Sequence, residues 1–376
     1  MSDYIDLPVI DAHMHIMDDF SKDPRSIMET IRDMHERNNL KACNLLSIPS
    51  IDDQQILQNL LCILYKALHN DDTYAFGGLD YNLPGLGKET FDFRGQCMRF
   101  MEMGFDGIKF IESKPIVRKS IGNMPFTAEP YKSMFMYLEE KSIPILWHAA
   151  DPETFWHADL IPDWAEQRGM FYGDGRYIEK ETIYQEVDEI LNRHPGLRIV
   201  FAHLYFLSAD LERADRFLSK WPRIRFDVTP GVEMYENFAS RSDEWKDFFN
   251  KYQDQIVFGT DCGVDIEGEP SAAAMVEFAR QKTNWVRKFL EGREAFEMFR
   301  IKTRGIGLAR NVLEKIYATN FIKLASAKPK VVDIPAAIDF CNDRKAAFGN
   351  SALTDHKEKL LGRIRSIEKE MVSCNR

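Results

Sequence analysis

The sequence predicts an α/β protein folded as a (β/α)8 TIM barrel, and this prediction rests on three observations. Eight short β-rich runs alternate with helical patterns along the 376 residues, as in parallel α/β folds. No GxGxxG or P-loop motif follows any of these runs, so the nucleotide signature of the competing doubly wound open sheet is missing. Histidine or aspartate closes four of the runs, and a barrel brings all four ends to one mouth.

The strands are predicted at apolar runs bounded by turn residues, namely 8–14, 41–48, 73–79, 105–111, 143–149, 197–203, 223–228 and 254–261. Helical periodicity places helices between most of them, among them 29–38, 56–68 and 182–193. After the eighth strand, the pattern predicts helices over 271–292, 304–324, 335–348 and 356–371. We therefore divide the chain into a barrel at 1–329 and a C-terminal α-helical appendage at 330–376.

One connection is longer than a barrel requires. Residues 150–181, between the fifth and sixth strands, are rich in aromatic side chains: Phe155, Trp156, Trp164, Phe171, Tyr172 and Tyr177. A long loop with its own apolar residues either forms a lid over the mouth or packs as a satellite core under the crossover. The sequence leaves both interpretations open.

Composition limits the classes of function. A formal charge of -10 disfavours nucleic acid and anionic membranes as partners, so we expect a small-molecule substrate. The N-terminus lacks the features of a secretory signal and no run approaches the ~20 apolar residues of a membrane helix, which predicts a cytoplasmic location. Six scattered cysteines without CxxC spacing predict reduced thiols. Both a monomer and a homo-oligomer remain open.

The residues that close the strands predict a metal site. His13 and His15 are one residue apart on the first strand, so their side chains point the same way. His148, His203 and Asp261 close the fifth, sixth and eighth strands. Zinc and similar ions accept imidazole nitrogen and carboxylate oxygen, and catalytic sites keep one position for a water molecule that ionises near neutral pH. The predicted ligands of one divalent ion, with zinc as the expected metal, are His13, His15, His148 and Asp261.

The predicted catalytic residues are Asp261 and His203. Asp261 can both contact the metal and take a proton from the attacking water. His203 is either a general acid or base, which suits its ordinary pKa near 6.5, or a neutral metal ligand. Weaker candidates for substrate contacts follow the fifth and seventh strands: Asp151, Glu153, His157, Glu233 and Tyr235.

The chain resembles the amidohydrolase superfamily of metal-dependent (β/α)8 enzymes, on the motifs Asp11-Ala-His13-Met-His15, His148, His203 and Gly259-Thr-Asp261. More narrowly, it is similar over residues 8–320 to the amidohydrolase-related branch. That branch includes aminocarboxymuconate-semialdehyde decarboxylase and related aromatic-acid decarboxylases alongside hydrolases of lactones. The resemblance implies that His13, His15, His148 and Asp261 bind one divalent metal, usually zinc. It implies for His203 an acid/base or substrate-polarising role, or a second metal.

The fourth strand is where binuclear members of that family carry a bridging carboxylated lysine or a glutamate. This sequence offers Lys109 and Glu112 there. Strand alternation puts the two on opposite faces, so they should not both line the site. We expect one metal, with Lys109 as a charge partner or substrate contact, and a second metal near His203, Lys109 or Glu112 is the alternative.

Three functions are compatible with such a site. The first is a metal-dependent hydrolase that acts on a small carboxylate-bearing or cyclic (lactone or amide) substrate through a metal-activated water. The second is a metal-dependent non-oxidative decarboxylase of a small unsaturated or aromatic carboxylic acid, in which His203 aids protonation of carbon. The third is a catalytically inactive binding barrel, against which the presence of all five proposed positions argues.

Overall fold

The computed structural model of the protein describes residues 6–16, 22–50, 57–81, 91–231, 233–263, 271–349 and 357–374. Ile56 and His356, at which two predicted helices begin, lie outside these residues. The structure confirms the predicted α/β barrel architecture, because nine parallel strands form one sheet with helices between them. The strands are β1 (Ile10–His15), β2 (Ala42–Leu46), β3 (Thr73–Gly78), β4 (Gly107–Phe110), β5 (Pro144–Trp147), β6 (Arg198–Phe201), β7 (Arg225–Asp227), β8 (Ile256–Val257) and β9 (Cys262–Gly263).

The sheet closes on itself around the predicted eighth strand, 254–261, of which the structure keeps β8 at 256–257, and a second short strand, β9, follows directly after it. β8 pairs with β7 and β9 pairs with β1, so one short stretch of chain joins both edges of the sheet. Between β8 and β9, the Ala12 amide donates to the Phe258 carbonyl at 3.0 Å and the Asp261 amide donates to the His13 carbonyl at 2.8 Å. All eight predicted strands are present, with shorter bounds than the sequence predicts.

Several helices begin at a capping side chain. Asp23 accepts a hydrogen bond from the Arg25 amide at 2.9 Å before a helix with proline at its first position, and Ser271 accepts one from the Ala274 amide at 3.2 Å. The helices are α1 (Pro24–Arg37), α2 (Gln58–Leu68), α3 (Phe93–Met103), α4 (Pro115–Ser120), α5 (Glu129–Glu140), α6 (Asp163–Gln167), α7 (Lys180–Arg193), α8 (Leu211–Lys220), α9 (Met234–Ser240), α10 (Ser242–Lys251), α11 (Ala272–Glu291), α12 (Arg310–Glu314), α13 (Asn320–Leu324), α14 (Ile334–Gly349) and α15 (Lys357–Cys374).

Between residues 295 and 324, the secondary structure differs from the prediction. The predicted helix 304–324 begins only at Arg310, and it contains a π-helical turn at Lys315–Thr319 between α12 and α13. Upstream, β10 (Ala295–Met298) and β11 (Ile301–Arg304) form an antiparallel hairpin that the sequence analysis did not predict. Short runs in which apolar and charged residues alternate fit both a strand and a helix end, which explains the omission.

The amino end of the barrel is closed by α13. Phe321 of α13 packs edge-on against Tyr74, with ring centroids 5.0 Å apart, among the apolar side chains inside the barrel. The Asn320 side chain also donates to the Ile256 carbonyl at the start of β8, at 2.7 Å. A site that needs access to solvent must therefore lie at the carboxyl ends of the strands.

The C-terminal helices α14 and α15 pack against each other and against α1, α2 and α3. Arg344 of α14 forms a buried ion pair with Asp80, which also accepts a hydrogen bond from the Ser50 hydroxyl at 2.8 Å. The tail is thus joined to the barrel by a charge pair as well as by apolar contacts. No helix among the described residues combines the length and the apolar character that crossing a membrane requires.

The connection between β5 and α7 contains a 3-10 helix at Glu153–Trp156 and the short helix α6. Phe155, Trp156 and Tyr172 are buried, and the Trp156 and Tyr172 ring centroids are 4.9 Å apart. The Trp156 indole donates to the Ile178 carbonyl at 3.3 Å. Of the two interpretations that the sequence left open for this connection, the contacts correspond to a satellite core.

Candidate metal centre

Three polar side chains meet at the carboxyl ends of the strands, where the barrel closes. His13 and His15 come from β1, and Asp261 comes from the stretch between β8 and β9. The two Nε2 atoms are 3.1 Å apart, and each lies 3.3 Å from the Asp261 Oδ1 atom. One ligand atom from each residue lies within 4.8 Å of the other two, which is close enough for all three to hold one cation.

Each imidazole is oriented by a partner on its other nitrogen. The His15 Nδ1 atom lies 3.2 Å from the Leu46 carbonyl, and the His13 Nδ1 atom lies 2.8 Å from Asp227 Oδ2. A carbonyl or carboxylate oxygen accepts, so each Nδ1 donates and each Nε2 keeps its lone pair. Metal-binding histidines have this arrangement, with the outer nitrogen fixed by an acceptor.

Asp11 connects β1 to the stretch that carries Asp261. Its carboxylate accepts from the His13 amide at 3.0 Å, from the Thr260 amide at 3.2 Å and from the Thr260 hydroxyl at 2.6 Å. Burial raises the pKa of Asp11 to about 7. Asp261 itself has a left-handed backbone with φ of 56°, which turns its side chain away from a regular strand path.

The charges in this cluster suit a cation. Burial lowers the pKa of His13 and of His15 below the ordinary value, so both imidazoles are neutral at pH 7, as metal ligands must be. Burial opposes ionisation of Asp261, but positive charge nearby, including that of the Lys282 ammonium, holds the pKa of Asp261 well below the usual range. The Asp261 side chain is 26% exposed, so the cluster can be reached from solvent.

The two residues predicted on the fourth strand point into different surroundings. The Lys109 Nζ atom lies 3.2 Å from His13 Nε2, inside the cluster, and burial lowers the pKa of Lys109 to about 8. Glu112 instead accepts from the Tyr81 hydroxyl at 3.0 Å and from the Ile111 amide at 2.6 Å. Burial raises the pKa of Glu112 to about 8.

His148 lies at the same mouth but outside the three-residue group. Its ring centroid is 5.0 Å from that of His203, and its Nε2 atom is 3.3 Å from Asp151 Oδ1. Asp151 is held in turn by the Lys114 ammonium at 3.1 Å and by the Tyr172 hydroxyl at 2.7 Å. The satellite core of the β5–α7 connection therefore contacts the site through Asp151.

His203 begins an unusual turn beside the cluster. Residues 203–206 all have φ between 51° and 58°, which is the left-handed region. The His203 ring centroid lies 5.5 Å from that of His13 and 5.1 Å from that of Phe206, and its Nδ1 atom is 3.2 Å from the Thr229 carbonyl. Burial lowers the pKa of His203, so it too is neutral at pH 7.

Sequence analysis missed Asp227, the last residue of β7, which is fully buried and contacts both His13 and the His203 main chain. A signal was present, because Ile224-Arg-Phe-Asp227 is another strand that ends in a carboxylate. The rule that selected His148, His203 and Asp261 would have selected it as well. Among the weaker candidates, Tyr235 is buried and donates to the Val228 carbonyl at 2.6 Å, while His157 lies 3.3 Å from Glu153 on the surface.

Fold and site together define a class: (β/α)8 proteins with a cluster of histidine and aspartate at the mouth that suits a divalent cation. Comparison with known proteins narrows this class. The family model described as Amidohydrolase matches residues 94–322, more than half of the chain. The protein therefore belongs to the amidohydrolase family, in agreement with the resemblance of its motifs.

Solved structures are similar to this chain at low sequence identity, and two of the following three have TM-scores of 0.50 or more. A putative amidohydrolase from Staphylococcus aureus is 16% identical with a TM-score of 0.52, over 85% of this chain and 99% of that one. Metarhizium anisopliae IDCase in apo form is 12% identical with a TM-score of 0.50, over 85% and 97%. The 5-carboxyvanillate decarboxylase LigW from Sphingomonas paucimobilis is 12% identical with a TM-score of 0.47, over 85% and 99%. No curated protein sequence matches the chain.

Proposed function

We propose that the protein is a metal-dependent hydrolase that acts on a small carboxylate-bearing or cyclic substrate, such as a lactone or an amide. The observation that supports this proposal is the convergence of His13 Nε2, His15 Nε2 and Asp261 Oδ1 within 3.3 Å of one another at the open end of the barrel. Family membership supports an enzyme, and the arrangement of donors supports the metal.

The three donors fit a divalent metal ion. Two neutral imidazole nitrogens and one carboxylate oxygen are ligands that zinc accepts, and the outer nitrogen of each imidazole is already fixed. We propose that His13, His15 and Asp261 hold one ion, zinc, while the predicted fourth ligand, His148, lies outside this group with its Nε2 atom facing Asp151. A bound divalent ion would lower the pKa of a water molecule toward neutrality and polarise a substrate carbonyl.

The surrounding side chains have separate roles in this proposal. Asp261, ionised and partly exposed, accepts a proton from water that enters the mouth. His203, whose neutral ring lies next to those of His13 and His148, takes up that proton from Asp261 and passes it to the leaving group. Lys109, buried and directed at His13, supplies positive charge for a substrate carboxylate.

The first experiment measures metal content. Protein purified without chelators should contain about one equivalent of divalent metal per chain, and His15→Ala should lose it because one of three donors is removed. His69→Ala is the matched control, since His69 follows α2 and its ring packs against that of Tyr65, with centroids 4.7 Å apart. Two equivalents per chain would contradict the single-metal proposal, and a wild-type protein that neither carries nor acquires metal would contradict the enzyme.

The second experiment identifies the reaction. Lactones, amides and aromatic carboxylates are incubated with the wild-type protein in H2(18)O, with Asp261→Asn as the inactive reference. Hydrolysis places 18O in the product. Release of carbon dioxide without 18O in the product would replace the hydrolase proposal with decarboxylation, and turnover by metal-free protein would exclude both.

A further inference from the structure

We propose that Asp227 is a positioning residue, which fixes the metal-binding tautomer of His13 and holds the main chain of His203 at the same time. The inference rests on the proposed metal site. Asp227 is the last residue of β7, its side chain is fully buried, and it lies between the two histidines. It would therefore act through other residues and not on the substrate.

Each carboxylate oxygen of Asp227 has its own partners. Oδ1 accepts from the His203 amide at 2.7 Å and from the Thr229 amide at 3.1 Å. Oδ2 lies 2.8 Å from His13 Nδ1. Because main-chain amides only donate, Oδ1 must be an acceptor and the orientation of the carboxylate is set.

This orientation determines the tautomer of His13. An ionised carboxylate offers Oδ2 as an acceptor, so the proton of the neutral imidazole resides on Nδ1. Nε2 then keeps its lone pair, and it is this atom that lies 3.1 Å from His15 Nε2 and 3.3 Å from Asp261 Oδ1. The opposite tautomer would direct an N–H group at the place of the metal.

The same carboxylate supports the turn that carries His203. Residues 203–206 all have left-handed backbones, which L-amino acids disfavour, so the turn needs an external partner. The hydrogen bond from the His203 amide to Oδ1 holds its first residue. Asp227 therefore links the position of a proposed ligand to that of the proposed acid or base.

Asparagine cannot replace this carboxylate. The two main-chain amides require an oxygen at the Oδ1 position, so the NH2 group of an asparagine side chain at this position would face His13 Nδ1. His13 Nδ1 must then accept, and the proton moves to Nε2. Asp227→Asn should therefore change the tautomer of His13 with almost no change in side-chain volume.

The test compares Asp227→Asn with Asp106→Asn. Asp106 is a matched control, because it too is buried and accepts from two main-chain amides, Ala75 at 2.9 Å and Lys330 at 2.8 Å, and from one charged side chain, Lys66, before β4. Zinc affinity is measured by competition with a chromophoric chelator. We expect Asp227→Asn to weaken zinc affinity by about 10- to 100-fold. Asp106→Asn should leave zinc affinity within about twofold of the wild-type value, because a distant substitution has little effect on the site.

A second measurement needs no metal. Its wild-type part can be carried out even if Asp227→Asn does not fold. Long-range 1H–15N spectra of the metal-free wild-type protein with 15N-histidine report the tautomer of each ring, and His13→Ala assigns the His13 signal. We expect a proton on Nδ1 in wild type and on Nε2 in Asp227→Asn. A proton on Nε2 in wild type, or unchanged zinc affinity in folded Asp227→Asn, would overturn the inference. Failure of the wild-type protein to bind zinc would instead overturn the proposed function.

Discussion

Replacement of Gly259 by alanine should weaken metal binding more than its size suggests. A Cβ atom at this position would lie 2.9 Å from the His13 Cβ atom and 2.5 Å from the Thr229 hydroxyl oxygen. Ordinary contacts begin at about 3.4 Å, so the His13 Cβ atom must retreat by about 0.5 Å. A displacement of about 0.5 Å is as large as the positional tolerance of the ligands in a metal site. We expect zinc affinity to fall on the order of tenfold and the free energy of unfolding to fall by about 1–3 kcal/mol.

The assay combines chelator competition with urea unfolding of the metal-free protein. Gly362→Ala is the matched control, because Gly362 lies within α15 and a Cβ atom there meets nothing within 4 Å. The control should gain roughly 0.5–1 kcal/mol, since alanine is a better helix former, and it should bind zinc as wild type does. Equal zinc affinity of Gly259→Ala and wild type would refute the reasoning, because His13 would then tolerate the displacement.

Two further predictions concern stability. Burial raises the pKa of Glu112 to about 8, so the folded state keeps a proton that the unfolded state loses above about pH 4.5. The free energy of unfolding of the wild-type protein should therefore fall by about 1.4 kcal/mol per pH unit from pH 4.5 to 8, relative to that of Glu112→Gln. If urea unfolding gave both proteins the same pH dependence, this prediction would be excluded. Arg344→Met should cost about 3–5 kcal/mol because it leaves Asp80 buried without its partner. The exposed Arg365→Met serves as its control, and equal urea midpoints for the two variants would contradict the effect.

Much of the fold was predictable because strand and helix periods are local properties of the sequence. The eight apolar runs predicted the strands, and the alternation of side chains predicted that His13 and His15 share a face. Their Nε2 atoms are 3.1 Å apart. The hairpin at 295–304 was not predicted, because four-residue strands are too short to distinguish the two periods.

The geometry around the cluster was less accessible to sequence reasoning. The hydrogen bond between His13 and Asp227 joins residues 214 positions apart, and no local pattern specifies which carboxylate meets which imidazole. The left-handed turn at 203–206 contains no glycine, so nothing in its sequence indicates positive φ. His148 was predicted from its place at a strand end, but its contact with Asp151 depends on how the connection after β5 folds back.

Closure of the barrel and formation of the cluster depend on the same few residues. The stretch from Phe258 to Asp261 bonds to β1 through the Ala12 amide and the His13 carbonyl, and these bonds join the two edges of the sheet. They also bring the Asp261 carboxylate to the imidazoles of His13 and His15. Asp261 has a left-handed backbone between β8 and β9, where the chain departs from a regular strand. The interruption between β8 and β9 is therefore what allows one stretch of chain to complete the sheet and to supply a ligand to its mouth.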